Sequence, residues 1–92
     1  MAETQYRVLL YNDDRSTMES VTEALLASVP HLSEPQAIDI MMSAHTFGLA
    51  QVTLTDRTHA AAYCQNLKEL GLTCAISLAG DLAVRDEAAI ER

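Results

Sequence analysis

Asn12, Asp13 and Asp14 put one amide and two carboxylates on three consecutive residues, just after an apolar run. Two chemistries use such a cluster. Asn and Asp build turns and start helices by bonding their own backbone. Together they can also accept charge-assisted hydrogen bonds from a cation or an ammonium group. A divalent metal is a poorer match, because a calcium loop needs about six oxygen ligands in an arrangement this turn lacks. The segment is therefore either a plain turn or one wall of an amine site.

A second polar group worth placing is His45, near the end of an apolar-periodic segment. A histidine there can complement the carbonyls of a helix C-terminus. It also stands one helical turn after Met41, so the two share a face, with Ala44 beside them. If that face meets the start of the preceding helix, Met18 and Val21 join Met41 and Ala44 around one apolar hollow. His45 and the acidic turn would rim it, which is the usual make-up of a ligand pocket. On pattern alone such a stripe is more often plain core. His31 and His59 have no partners visible in the sequence and are expected at the surface. There is no Ser/His/Asp or Cys/His set, no phosphate-cradling Gly-rich loop and no zinc spacing. The chain is therefore expected to be no enzyme and to carry no metal or cofactor.

The elements that must hold these residues follow from periodicity. Tyr6–Tyr11 is short, β-rich and apolar and predicts a strand. Ser16-Thr17-Met18-Glu19 fits a capping box with Ser16 as N-cap and Glu19 at N3. Met18, Val21, Thr22, Leu25, Leu26 and Val29 then recur at helical spacing, and Pro30-His31 ends the helix. Ser33-Glu34-Pro35-Gln36 caps a second helix, with Pro35 in the first turn where it is tolerated. That helix runs to about Phe47, and Gly48 stands where a left-handed C-cap belongs. Residues 50–54 alternate as a half-buried strand. Thr55 or Asp56 caps a third helix ending at Gly71. Residues 72–77 form the last strand, and the charged stretch from Gly80 is expected as a frayed or loosely helical tail. The order β-α-α-β-α-β predicts an α+β fold, a small α/β sandwich with three helices on a three-stranded sheet. Residues 1–5 read as a short arm, 6–78 as the core and 79–92 as the tail.

Composition bounds the partners. Ninety-two residues make one domain, burying about 60–65% of the unfolded surface. Thirteen acidic residues against six basic ones give a net charge of −7. Nucleic acid and anionic membrane surfaces both need clustered Lys and Arg, so neither is an expected partner. An amine or a basic protein surface suits the chain better. No apolar run approaches a bilayer span and no signal peptide is visible, which sets a cytoplasmic expectation. Cys64 and Cys74 form no CxxC pair and read as small buried hydrophobes. A monomer suffices.

The run Val8-Leu9-Leu10-Tyr11-Asn12-Asp13-Asp14, with Met18-Glu19-x-Val21, Met41-x-x-Ala44-His45-x-x-Gly48-x-Ala50 and Gly71-Leu72-Thr73, resembles the ClpS family. The likeness spans about residues 6–78. It implies an α/β sandwich and a non-enzymatic adaptor of the bacterial and plastid N-end rule pathway, acting in the cytoplasm or the plastid stroma. Such adaptors bind N-degron proteins that begin with Leu, Phe, Tyr or Trp. They hand them to a Clp AAA+ ATPase, ClpA or ClpC, for degradation by ClpP.

By the same resemblance, Asn12, Asp14 and His45 contact the α-amino group, and Asp13 belongs to the motif. Met18 gates out β-branched first residues, while Val21, Met41, Ala44 and Leu72 line the side-chain pocket. His45 must accept through a neutral nitrogen, so its protonation should weaken binding. Ala44 stands where a larger Val is common, which would widen the pocket. Thr17 replaces a frequent Pro and Ser20 a frequent Phe. Asp56 and Arg57 fall where the family docks on the ATPase, followed by Ala60-Ala61-Ala62. The competing expectation is an assembly module like the ribosomal-stalk C-terminal domain, a similar small sandwich that needs neither the acidic turn nor His45. A regulatory domain that binds a free amino acid is a third.

Overall fold

The computed structural model describes residues 5–79. Its elements are β1 (Tyr6–Tyr11), α1 (Met18–Ser28), α2 (Glu34–Phe47), β2 (Leu49–Thr55), α3 (Arg57–Glu69) and β3 (Cys74–Leu78). The expected order β-α-α-β-α-β holds. The sheet order is β2-β1-β3 with antiparallel pairing on both sides of β1. Val8 and Leu10 of this central strand are buried, whereas Arg7 and Leu9 are half-buried and Tyr11 is exposed. Period-two alternation thus turns one face of the sheet to the helices. Val8, Leu10, Ala50, Val52 and Cys74 meet Leu25, Val29, Ala37, Met41, Ala44, Ala60, Cys64 and Leu67 in a single core. One irregularity lies in the β1–β2 ladder. Val8 faces Thr53 and Leu9 faces Gln51, so Val52 is the extra residue of a bulge.

Local chemistry sets the helix ends. Ser33 Oγ accepts from Gln36 N at 3.3 Å, and Gln36 Oε1 accepts from Ser33 N at 2.9 Å, a reciprocal capping box. α2 closes on Gly48 at φ 86°, a left-handed conformation that favours glycine, and its N–H donates to Ala44 O at 2.8 Å.

α1 starts differently from expectation. Its N-cap is Thr17, not Ser16, and the N3 position belongs to Ser20, not Glu19. Thr17 Oγ1 accepts from Ser20 N at 3.0 Å, while Ser16 N donates to Asp13 O at 3.2 Å and stays within the turn. Asp56 takes the N-cap position of α3, but its carboxylate does not bond the helix backbone. It accepts instead from Thr55 Oγ1 at 3.2 Å and pairs with His59 Nδ1 at 2.6 Å.

The last strand begins at Cys74 rather than Leu72. Leu72 N donates to Leu67 O at 3.1 Å, which ties Leu72 to the end of α3. Thr22 leaves the apolar stripe, its hydroxyl donating to Met18 O at 3.0 Å. Both cysteines are free and buried. Burial first, then the neighbouring Cys64 thiol, pushes the Cys74 thiol up to about 12. His31 and His59 are exposed, yet their rings flank Tyr63 at 6.2 and 6.0 Å, and His31 Nε2 meets Thr53 Oγ1 at 3.1 Å. The expected tail from Gly80 lies outside the described residues.

Candidate functional site

The acidic turn is pinned at its start by two neighbouring loops. Tyr11 N donates to Thr73 O at 3.0 Å, and Asn12 N donates to Gly48 O at 3.1 Å. The end of the central strand is thereby joined to the α3–β3 loop and to the C-cap of α2. Those contacts bring Asn12 up against the last turn of α2, where His45 stands.

Asp13 is the most constrained residue of the turn. Its Oδ1 accepts from Arg15 N at 2.9 Å and from Arg15 Nε at 3.2 Å, while Oδ2 takes Arg15 Nη2 at 3.2 Å. The carboxylate is only 8% exposed, but the cover is thin, since the Arg15 side chain is 82% exposed. The Arg15 side-chain hydrogen bonds, more than its backbone N–H, hold the Asp13 carboxyl below the usual carboxylate range. A depressed acid contributes to stability above its ordinary value, and the contribution is lost as pH falls through the lowered one. Asp13 is therefore ionised across the neutral range and some way into acid.

Next to this turn lies a small, shallow hollow, about 340 Å³ when the open solvent at its mouth is counted. Leu10, Met41, Ala44 and Leu72 are buried and form its floor, and half-buried Val21 joins them. Tyr11, Asn12, Asp13, Ser16, Met18 and His45 line the rest. Met18, the first residue of α1, is 46% exposed and stands at the edge. Each wall comes from a different element, so the hollow exists only in the folded chain.

Of the residues expected from sequence, Asn12, Asp13, Met18, Val21, Met41, Ala44, His45 and Leu72 come together here. Asp14 is exposed and does not line the hollow. Leu10, Tyr11 and Ser16 line it and were not expected. Adjacency of Leu10 and Tyr11 to Asn12 was the available signal, and Ser16 had been assigned to the cap.

The arrangement suits one kind of ligand. The mouth offers an amide oxygen, an ionised carboxylate and an imidazole, and the floor offers only carbon and sulfur. An α-ammonium has three donors and shares its Cα with the side chain, so it matches mouth and floor at once. Among the described residues no three His, Cys, Asp or Glu side chains gather as metal ligands, and no helix is long and apolar enough to cross a membrane.

The family model described as "ATP-dependent Clp protease adaptor protein ClpS" matches residues 1–75. A Clp protease adapter of Synechococcus elongatus is 50% identical over 72 residues, covering 78% of this chain and 76% of that protein. A chloroplastic adapter of Arabidopsis thaliana is 34% identical over 71 residues, covering 77% of this chain and 45% of that one. Among solved structures, a ClpS2 protein of Agrobacterium tumefaciens bound to L-phenylalaninamide superposes with a TM-score of 0.77. It is 31% identical and covers 84% of this chain and 99% of that one.

Proposed function

The chain belongs to the ClpS family of Clp protease adaptors, and on that premise we propose that it binds the free amino terminus of proteins with a bulky apolar first residue. It then passes them, without catalysing any reaction itself, to a Clp AAA+ ATPase of the ClpA or ClpC type. The observation that carries this reading is the pairing of one apolar hollow with an acceptor-lined mouth. The ligand named for the Agrobacterium protein supports it, since L-phenylalaninamide joins a free amine to an apolar side chain and has no free carboxylate. The cyanobacterial and chloroplastic relatives support a setting in a bacterial cytoplasm or a plastid stroma.

In this reading Asn12, Asp13 and His45 accept from the ammonium group. Asp14, turned out of the hollow, contributes charge at a distance. Burying a Leu or Phe side chain on the floor supplies roughly 1.5–3 kcal/mol. Charge-assisted hydrogen bonds at the mouth raise the total to about the 8 kcal/mol of a micromolar complex.

A peptide array that varies only the first residue tests the proposal. Leu, Phe, Tyr and Trp should bind, while Ile, Val, Ser and Asp should not. Flat binding across the array would refute it. Met18 stands at the edge, where a β-branched side chain would have to pass. Met18→Ala should therefore admit Ile and Val at the first position. Continued exclusion by the variant would remove Met18 as the gate.

A further inference from the structure

Beyond the mouth of the hollow the surface stays apolar in one direction. Tyr11 lines the hollow and is 38% exposed, Leu49 is 42% exposed, and Phe47 is 78% exposed. Backbone pairing joins Tyr11 to Leu49, and Phe47 is two residues before Leu49 in the chain. Tyr11 and Leu49 are direct partners in the β1–β2 ladder, so their side chains share a face of the sheet. The carbonyl of Gly48, between Phe47 and Leu49, accepts the Asn12 N–H, so the patch adjoins the start of the acidic turn. Apolar residues exposed singly need no explanation, but an adjoining group that includes a wholly protruding phenylalanine marks an interaction surface.

Chain geometry and continuity with the hollow select the occupant. A polypeptide whose first side chain fills the hollow must leave over the rim. Extended backbone rises about 3.3 Å per residue and alternates its side chains. The second side chain then points away from the protein, and the third returns to it about 7 Å further on. Directly opposed residues of a ladder have Cβ atoms about 4.5–5.5 Å apart. Leu49 is thus one ladder partner beyond Tyr11, within the reach of a chain that leaves the hollow past Tyr11.

We propose that Tyr11, Leu49 and Phe47 form a subsite for the third residue of the bound chain, selecting substrates with an apolar side chain there. This rests on the amine-first reading of the hollow. The subsite gives the adaptor a second readout, so that a leucine-led protein with an apolar third residue outcompetes one with a polar third residue.

The test uses dye-labelled peptides Leu-Ser-X, with X as Leu, Phe, Ser or Asp, titrated against the full chain by fluorescence anisotropy. X as Leu or Phe should bind roughly 3–10-fold tighter than X as Ser. In Phe47→Ser and in Leu49→Thr that ratio should fall towards one. Moving the apolar residue to the second position, with Ser third, should give no such gain. Equal affinity for every X in the unaltered protein would overturn the proposal. So would a ratio that survives both substitutions, or a gain at the second position that matches the third. Acetylated Leu-Ser-Leu separates the two levels of the argument. If it binds as tightly as the free peptide, the amine-first reading fails. If the free amine is required but X has no effect, the subsite alone fails.

Discussion

Asp13→Ala should weaken the binding of a leucine-led peptide by roughly one to two orders of magnitude, the scale of losing a charge-assisted hydrogen bond. Asp14→Ala should cost only a few-fold. The contrast follows from placement, because Asp13 lines the hollow and Asp14 does not. Asp13 also bonds Arg15, so its removal could act by loosening the turn. Arg15→Ala controls for this by deleting the ion pair and keeping the carboxylate. The pair is a surface one, with Arg15 82% exposed, so Arg15→Ala should leave the melting temperature nearly unchanged. It should also leave most of the affinity, because an ammonium ligand can take over the vacated carboxylate. Titrations of the three variants by anisotropy check this ordering. Equal losses for Asp13→Ala and Arg15→Ala would assign the effect to turn geometry rather than to charge.

Leu10→Ala should be the most damaging single change to both fold and site. Leu10 is 1% exposed on the central strand, paired with Ala50 on one side and Cys74 on the other, and it forms part of the floor of the hollow. Leu→Ala at such a site costs about 2–5 kcal/mol, a large share of the roughly 5–15 kcal/mol that holds a small domain together. For a chain of this length that corresponds to a fall in melting temperature of about 10–30 °C. Urea titration should show the midpoint fall with little change in slope. A loss below about 1 kcal/mol would mean that the core collapses around the gap, and that the strand is less central than its burial implies.

Much of this architecture was legible because its causes are local. The Ser33–Gln36 capping box and the left-handed Gly48 each depend on residues within four positions, so pattern alone located both ends of α2. The failures have non-local causes or close local competitors. Ser16 and Thr17 can each cap a helix, and Thr17 takes the position, its Oγ1 accepting from Ser20 N, while the Ser16 N–H stays within the turn on the Asp13 carbonyl. Leu72 looked like strand, but the end of α3 captures its N–H through the Leu67 carbonyl. The bulge at Val52 left no trace, since Ala50-Gln51-Val52-Thr53-Leu54 alternates apolar and polar straight through it. The flanking of Tyr63 by His31 and His59 joins a loop to a helix and needs the fold to be seen.

The site shows the same division. Helical spacing was enough to group Met41, Ala44 and His45, and the capped start of α1 brought Met18 and Val21 towards them. Which carboxylate of the turn faces the hollow was not legible. Asp13 lines it and is tied to Arg15 through three hydrogen bonds, whereas Asp14 is exposed. The resemblance to a known family gave the amine contact to Asp14 and only motif membership to Asp13, whereas it is Asp13 that lines the hollow.

The central claim is that the hollow's mouth recognises a free α-amine. It is tested most directly by titrating one leucine-led peptide in two forms, free and acetylated at its first nitrogen. Acetylation removes the positive charge and two of the three donors while leaving the leucine side chain intact. The account predicts micromolar affinity for the free peptide and at least a hundred-fold loss for the acetylated one, consistent with losing about two charge-assisted hydrogen bonds. Equal affinity for the two forms would contradict it.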